Sequence, residues 1–332
     1  LTFLNVILTT LKRFLLTNPR NSLDMKNIIS KNSLLYRFVQ FGFFPLMLVG
    51  TPYIIYVLVG NGSSVALTTY IVAVGVGLLF WLMEWLVPFK EKWNHSHGDI
   101  SNDLTSGIVA YIILPIFLKP FYIALLAGGT VWLSNQWGGA IWPSDWPVVL
   151  QLILLLIVGD AGRYWGHRLA HEVPVLWNFH AIHHSTKRLY WWNATRQHPV
   201  DKAWFTFTEM VFPVLLGADG IVLAMYFGVT VVCGFSQHCN INLKLGPLYW
   251  FFNVVDLHRW HHSVEIGESN NNYGNNLIIF DRFFGTYFHP ERQVDPNLHI
   301  EEIGLQNPDY PQDYLGQLGA PFKTGLDKAP QE

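Results

Sequence analysis

Long apolar stretches constrain this 332-residue chain more than any other feature. Crossing the hydrocarbon core of a bilayer takes roughly 20 helical residues. Residues 41–60 are uncharged, and 67–89 are apolar except for Glu84 near the end. Residues 107–133 are long but broken by Pro115, Lys119 and Pro120. A fourth stretch starts at 146–158 and runs on into a polar, His-bearing helix. Trp132, Trp137, Trp142 and Trp146 cluster around the third-to-fourth turn, as an interfacial aromatic belt would. The pattern predicts an all-α integral membrane protein with about four transmembrane helices.

The distribution of basic residues predicts the orientation, because Lys and Arg collect on the cytoplasmic side. Lys12, Arg13, Arg20, Lys26, Lys31 and Arg37 precede the first span. The 60–66 turn carries no charge, and Lys90 and Lys92 follow the second span. Residues 134–146 hold no Lys or Arg, whereas Arg163, Arg168, Lys187, Arg188 and Arg196 follow the fourth stretch. The N-terminus and everything after about residue 160 are therefore expected on the cytoplasmic side. Lys119 could split the third stretch into a re-entrant hairpin. One kinked span is expected instead, since a hairpin would flip the fourth span and put the basic segments outside. A fifth apolar region, 205–235, is interrupted at Gly217-Ala218-Asp219-Gly220. Its halves look short for spans, so a shallow re-entrant hairpin back to the cytoplasmic side is expected.

Residues 1–16 are mostly apolar, with Lys12 and Arg13 near the end, but have no small-residue cleavage site, so they are not read as a signal peptide. The chain divides into a cytoplasmic or interfacial segment (1–40), transmembrane helices (41–158), a catalytic region (159–306) and an extended tail (307–332).

Composition narrows the function. Lys plus Arg number 21 against 23 Asp plus Glu, a net charge of −2, which excludes the basic field of a nucleic-acid binder. Two cysteines cannot build a four-Cys zinc site or an iron–sulfur cluster. The anomaly is 14 His in a chain that is only 13% charged. Eight of them fall in three boxes: His167–His171 (HxxxH), His180–His183–His184 (HxxHH) and His258–His261–His262 (HxxHH). On a helix, residues i, i+3 and i+4 share a face. Each box can therefore aim two or three imidazoles at one point.

Eight imidazoles exceed the needs of one ion, and two metals with four or more ligands each fit the count. Imidazole suits Fe, Cu, Zn and Ni, and the all-nitrogen set argues against calcium and magnesium. A His-rich pair of irons that activates O2 is the best chemical match. His238 is read as a ninth ligand, against a capping role. His198 is either a ligand, a substrate-side group or a loop hydrogen-bonder. His95, His97, His289 and His299 are read as ordinary loop residues. Asp160, Glu172, Asp256 and Asp281 either orient imidazoles, which sharpens metal affinity, or pair with Arg163, Arg168, Arg259 or Arg282. Tyr190, Trp191, Trp192, Trp204 and Phe205 either line a lipid access path or anchor the chain at the interface.

These motifs make the sequence resemble the fatty acid hydroxylase/sterol desaturase superfamily, in the manner of a bacterial-type sterol desaturase family protein. The matching text includes Asp160 and Tyr164–Glu172, Trp177–Ser185, Arg196-Gln197-His198-Pro199 and the third box. It closes with Asn272-Tyr273-Gly274-Asn275-Asn276 and Phe280–Tyr287, and covers about 40% of the chain. The resemblance implies a helical membrane fold with a cytoplasmic helical cap carrying the His boxes. It implies a non-haem di-iron oxidoreductase, with His167, His171, His180, His183, His184, His258, His261 and His262 as ligands and His238 a further one. The family uses O2 and two electrons to hydroxylate or desaturate a lipid C–H bond. No His-Pro-Gly-Gly haem-binding segment occurs, so no fused haem is expected. The electron donor is then separate, of cytochrome b5, ferredoxin or pterin type.

Two other classes compete. A membrane zinc hydrolase would carry a general base beside the metal, as in His-Glu-x-x-His, but no Glu lies inside His167–His171. A non-catalytic metal-binding or transport protein would hold its ligands near the bilayer midplane, whereas these His lie outside the spans.

Overall fold

The computed structural model describes residues 30–139, 141–290 and 303–323. Lys12, Arg13, Arg20, Lys26, the apolar segment 1–16, His299, the tail beyond 323 and the side chain of Lys119 lie outside the described residues. Among the described residues the regular structure is helical, with three isolated β-bridges and no strand.

Helix α1 (Leu34–Phe41) starts at Ser33, whose hydroxyl accepts from the Tyr36 amide. Helices α2 (Phe43–Gly60) and α3 (Val65–Leu86) carry the first two apolar stretches. The third is a continuous run: α4 (Ile100–Ile108), a π-helical turn (Val109–Ile113) and α5 (Leu114–Trp137). It passes through the bundle once and does not double back. Pro115 directly follows the π-helical turn, where the hydrogen-bond ladder is already offset, and its missing N–H falls at that irregularity. Helix α6 (Val148–Glu172) takes the fourth stretch into the first His box without a break.

Among the described residues five helices are long and apolar enough to cross a membrane, the four expected and one more, Gly220–His238. Large apolar side chains such as Val49, Leu67, Val74, Ile116 and Phe117 point outward and are exposed. A soluble fold would bury them; lipid solvates them.

The fifth apolar region forms α8 (Pro199–Leu215) and α9 (Gly220–His238), after the shorter α7 (Pro174–His184). The chain turns between α8 and α9 where expected, with Gly217 at φ +79°. The arms are longer than the sequence suggested, at 17 and 19 residues. Leu216 and Ala218 at the tip pack against the buried cluster that holds Trp142, and the Ser144 hydroxyl lies 3.2 Å from an Asp219 carboxylate oxygen. Those partners belong to the connection between α5 and α6, at the opposite end of α6 from its His box. The hairpin is therefore as deep as the bundle rather than shallow. Trp142 is buried instead of interfacial, its indole N–H donating to Gln151 at 2.7 Å, while Trp132, Trp137 and Trp146 are exposed.

Small residues let the hairpin in, as is usual between membrane helices. A Cβ on Gly162 of α6 would lie 2.0 Å from the Thr208 carbonyl oxygen of α8. One on Gly228 of α9 would lie 2.7 Å from Ile55 Cδ1 of α2. The remaining α-helices among the described residues are α10 (Val255–His261), α11 (Ile266–Ser269), α12 (Ile279–Phe284) and α13 (Tyr314–Gly319). Together with α7, they gather where α6 ends, α8 begins and α9 ends. Buried Glu84 of α3 ties the 191–195 turn and the segment after α9 to the spans, accepting from the amides of Trp191 at 2.6 Å and Asn240 at 2.9 Å.

Candidate metal centre

Nine buried imidazoles converge in two adjacent groups. His167, His171, His180, His184 and His261 form one; His183, His238, His258 and His262 form the other. Within each, one donor atom per residue lies within 4.8 Å of all the others. The groups meet where His184 stacks on His262, ring centres 4.5 Å apart, and where His258 stacks on His261 at 5.0 Å. All three boxes contribute, through α6, α7 and α10. His238 joins because α9 delivers it to the second group at its last residue.

The inward nitrogens are close. Nε2 of His167 lies 3.1 Å from Nε2 of His180 and 3.0 Å from that of His261. In the second group, Nε2 of His258 lies 3.1 Å from Nε2 of both His238 and His262. Ligands at right angles around an ion with metal–nitrogen bonds of about 2.1 Å are separated by about 3.0 Å. The spacing fits a metal.

The outward nitrogens set the direction of the lone pairs. Nδ1 of His167 faces the Tyr273 carbonyl at 2.8 Å, and Nδ1 of His261 faces the Asn271 carbonyl at 2.7 Å. A carbonyl only accepts, so each Nδ1 carries the proton and each neutral ring turns a bare Nε2 lone pair inward. The 3.0 Å contact between those two Nε2 atoms then has no proton to share. Charging the rings is no remedy. Burial, with neighbouring imidazoles, holds His180, His184, His258 and His262 well below the usual imidazole range. Burial pushes His183 down to about 3 and His261 to about 4. Neutral rings with lone pairs facing one another are the form a metal binds.

One loop supplies three of these outward acceptors. The side chain of Asn270 faces Nδ1 of His171 at 3.2 Å, beside the Asn271 and Tyr273 carbonyls already described. Asn272 between them is left-handed, at φ +58°, a conformation Asn tolerates. Its side chain donates to the Leu257 and Phe288 carbonyls. Asp281 fixes the same loop by accepting from the amides of Tyr273 and Gly274 at 2.7 and 2.8 Å. In the second group, His183 donates to the Arg196 carbonyl at 3.1 Å and His238 to the Asn193 side chain at 2.9 Å.

The four expected carboxylates act differently. Asp281 reaches His167 only through Tyr273. Asp160 accepts from the Asn276 and Leu277 amides and clamps the loop rather than a ring. Glu172 pairs with Arg168 at 2.6 Å, and Asp256 with Arg259 at 2.9 Å. The carboxylate that does meet an imidazole is Asp201, with Oδ2 3.2 Å from His180 Nδ1. Burial pushes Asp201 up to about 7 despite Arg163 and Lys202. Its sequence signal, the first turn of a helix just after His198-Pro199, is weak. His198 belongs to neither group: it caps α8, with Nδ1 accepting from Val200 N at 3.0 Å and Nε2 facing the Leu318 carbonyl. His95, His97 and His289 are exposed and distant from the groups.

Of the five aromatics, Phe205 alone packs on the His rings, 5.4 Å from His167 and 5.1 Å from His180. Tyr190 and Trp192 hydrogen-bond to Asp103, Trp191 packs on Phe235, and Trp204 donates to the Gly166 carbonyl.

The fatty acid hydroxylase family profile matches residues 152–286. An ornithine lipid hydroxylase of Rhizobium tropici is 34% identical over 261 residues, covering 76% of this chain and 76% of that protein. Human alkylglycerol monooxygenase is 30% identical over 63% of this chain, which spans 45% of that enzyme. A methylsterol monooxygenase of Arabidopsis thaliana is 27% identical over 43% of the chain. No solved structure matches. Motif text, fold and extended identity agree: the chain belongs to the fatty acid hydroxylase family.

Proposed function

We propose that this chain is a membrane lipid hydroxylase that uses O2 and two electrons, with a pair of iron ions held by the nine imidazoles. The balance is R–H plus O2, two electrons and two protons giving R–OH and water. The observation that carries the reading is the His167–His261 contact, two Nε2 lone pairs 3.0 Å apart that only a cation reconciles. His167, His171, His180, His184 and His261 would hold one iron; His183, His238, His258 and His262 would hold the other. Bound iron supplies the O2-activating redox chemistry.

The chain's own groups do the rest. The Asn270–Tyr273 loop and Asp201 hold protons on outward ring nitrogens, which keeps the inward lone pairs in place. Phe205 covers the first group with an apolar face and limits water there. The catalytic region is 159–306, and it faces the cytoplasm by the asymmetry of Lys and Arg. A separate donor, a small redox protein or a reduced pterin, delivers the electrons.

A polar membrane lipid of the ornithine-lipid kind is the first candidate substrate. The ornithine lipid hydroxylase aligns over 76% of this chain, against 43% for the methylsterol enzyme. The test is lipid mass spectrometry of a host with and without the chain. A polar lipid that gains one oxygen is expected, with the gain lost in His262→Ala and kept in His95→Ala. An unchanged lipid profile, or full activity in His262→Ala, would count against the reading; loss of two hydrogens would reassign it to desaturation.

A further inference from the structure

An apolar stripe runs down one face of α6. Trp146 just before the helix, and Leu150, Ile153 and Ile157 along it, are exposed at spacings of three or four residues, and exposed Trp165 continues the same side two turns further on, past half-buried Ala161. Val149 flanks the upper end. One turn beyond Trp165 the face becomes charged, with the Arg168–Glu172 ion pair. From Val149 to Trp165 is 165 − 149 = 16 residues, about 24 Å of helical rise. With Trp146 above, the two tryptophans bracket the ~30 Å of a hydrocarbon core. Tryptophan concentrates at the two edges of that layer.

Trp165 has aromatic company at its level. It packs on Phe284 of α12 at 4.9 Å, and the neighbouring Phe283 is 82% exposed. Arg282 lays its guanidinium 4.2 Å over Trp250 and 3.8 Å over Tyr287. The Ile278 amide donates to the Phe251 carbonyl at 2.9 Å, which fastens the 246–251 segment to α12. Trp250 and Phe251 are 62% and 57% exposed. A soluble surface would not present five such rings and one cation together.

We propose that Trp165, Trp250, Phe251, Phe283 and Phe284 form a collar that seats the cap in the bilayer interface, with Arg282 at the level of the lipid phosphates. Continuity with the lipid-facing stripe of α6 selects lipid as the occupant. Aromatic rings at the headgroup–acyl boundary, with a basic residue among them, are what such an interface favours. The collar also touches the machinery of the site. Phe284 stacks on Tyr164 at 5.4 Å, and the Tyr164 hydroxyl lies 2.9 Å from that of Thr286. Thr286 in turn donates to Asp281, which holds the Tyr273 loop. The bilayer surface is thereby linked to the acceptors of the first His group, whatever metal they serve.

The test uses the full chain in lipid nanodiscs of mixed phosphatidylcholine and phosphatidylglycerol. Phe283→Cys and Trp250→Cys variants are each labelled with an environment-sensitive dye. Cys233 and Cys239 are buried and stay unlabelled. At both positions a nitroxide high on the acyl chain is expected to quench roughly twofold more than aqueous iodide or a nitroxide near the methyl end. Dominant quenching by iodide or by the deep nitroxide at either position would overturn the proposal. So would a dye that no quencher reaches, which would mean that protein covers the surface.

Discussion

Each imidazole has two nitrogens, and in this site their division of labour is set by what faces the outer one. The Tyr273 and Asn271 carbonyls and the Asn270 and Asn193 side chains lock individual rings. Asp201 does the same for His180 with a carboxylate. Removing such a partner typically weakens metal affinity about 10- to 100-fold. Asp201→Ala should show a loss of that size in a chelator-competition titration, while Asp201→Asn, which keeps an acceptor, should retain most of the affinity. Equal affinity in Asp201→Ala and the parent would remove Asp201 from the site. The His boxes were legible in the sequence because i, i+3 and i+4 spacing is local. Their acceptors were not, because that pairing is made by the fold. His167 and Tyr273 are 106 residues apart, and His180 and Asp201 are 21 apart. Carboxylates close in sequence, such as Glu172 and Asp256, went to nearby arginines instead.

At the scale of elements, the site depends on how closely α8 approaches α6. Gly162 permits that contact, since any Cβ there would strike the Thr208 backbone. Gly162→Ala should therefore destabilise the protein by about 1–3 kcal/mol, the usual cost of overpacking. It would appear as a lower thermal midpoint in detergent. Gly50→Ala, where a Cβ meets nothing within 4 Å, should leave the midpoint unchanged. An unaltered midpoint in Gly162→Ala would mean that the helices are not so tightly apposed. Apolar length located the four spans, but it undercounted the hairpin. Both arms extend through polar residues, with Asp201 and Lys202 starting α8 and Gln237 and His238 ending α9. Those residues lower the apolar count while serving the site.

The whole molecule is a bundle of lipid-facing helices with its reactive groups gathered at one end. The hairpin and α6 deliver His238 and His167 to the same place from different parts of the sequence. We propose, from the asymmetry of basic residues, that this end faces the cytoplasm and the 61–64 turn the far side. A Ser63→Cys variant should react with a membrane-impermeant thiol reagent in intact cells, since Ser63 is exposed and both native cysteines are buried. Labelling only after permeabilisation would reverse the orientation. The central claim concerns the occupants of the two His groups. Elemental analysis of the purified full-length chain tests it most directly. Two irons per chain, both lost on chelation together with lipid oxidation, is the predicted result; a single zinc and no iron would contradict it.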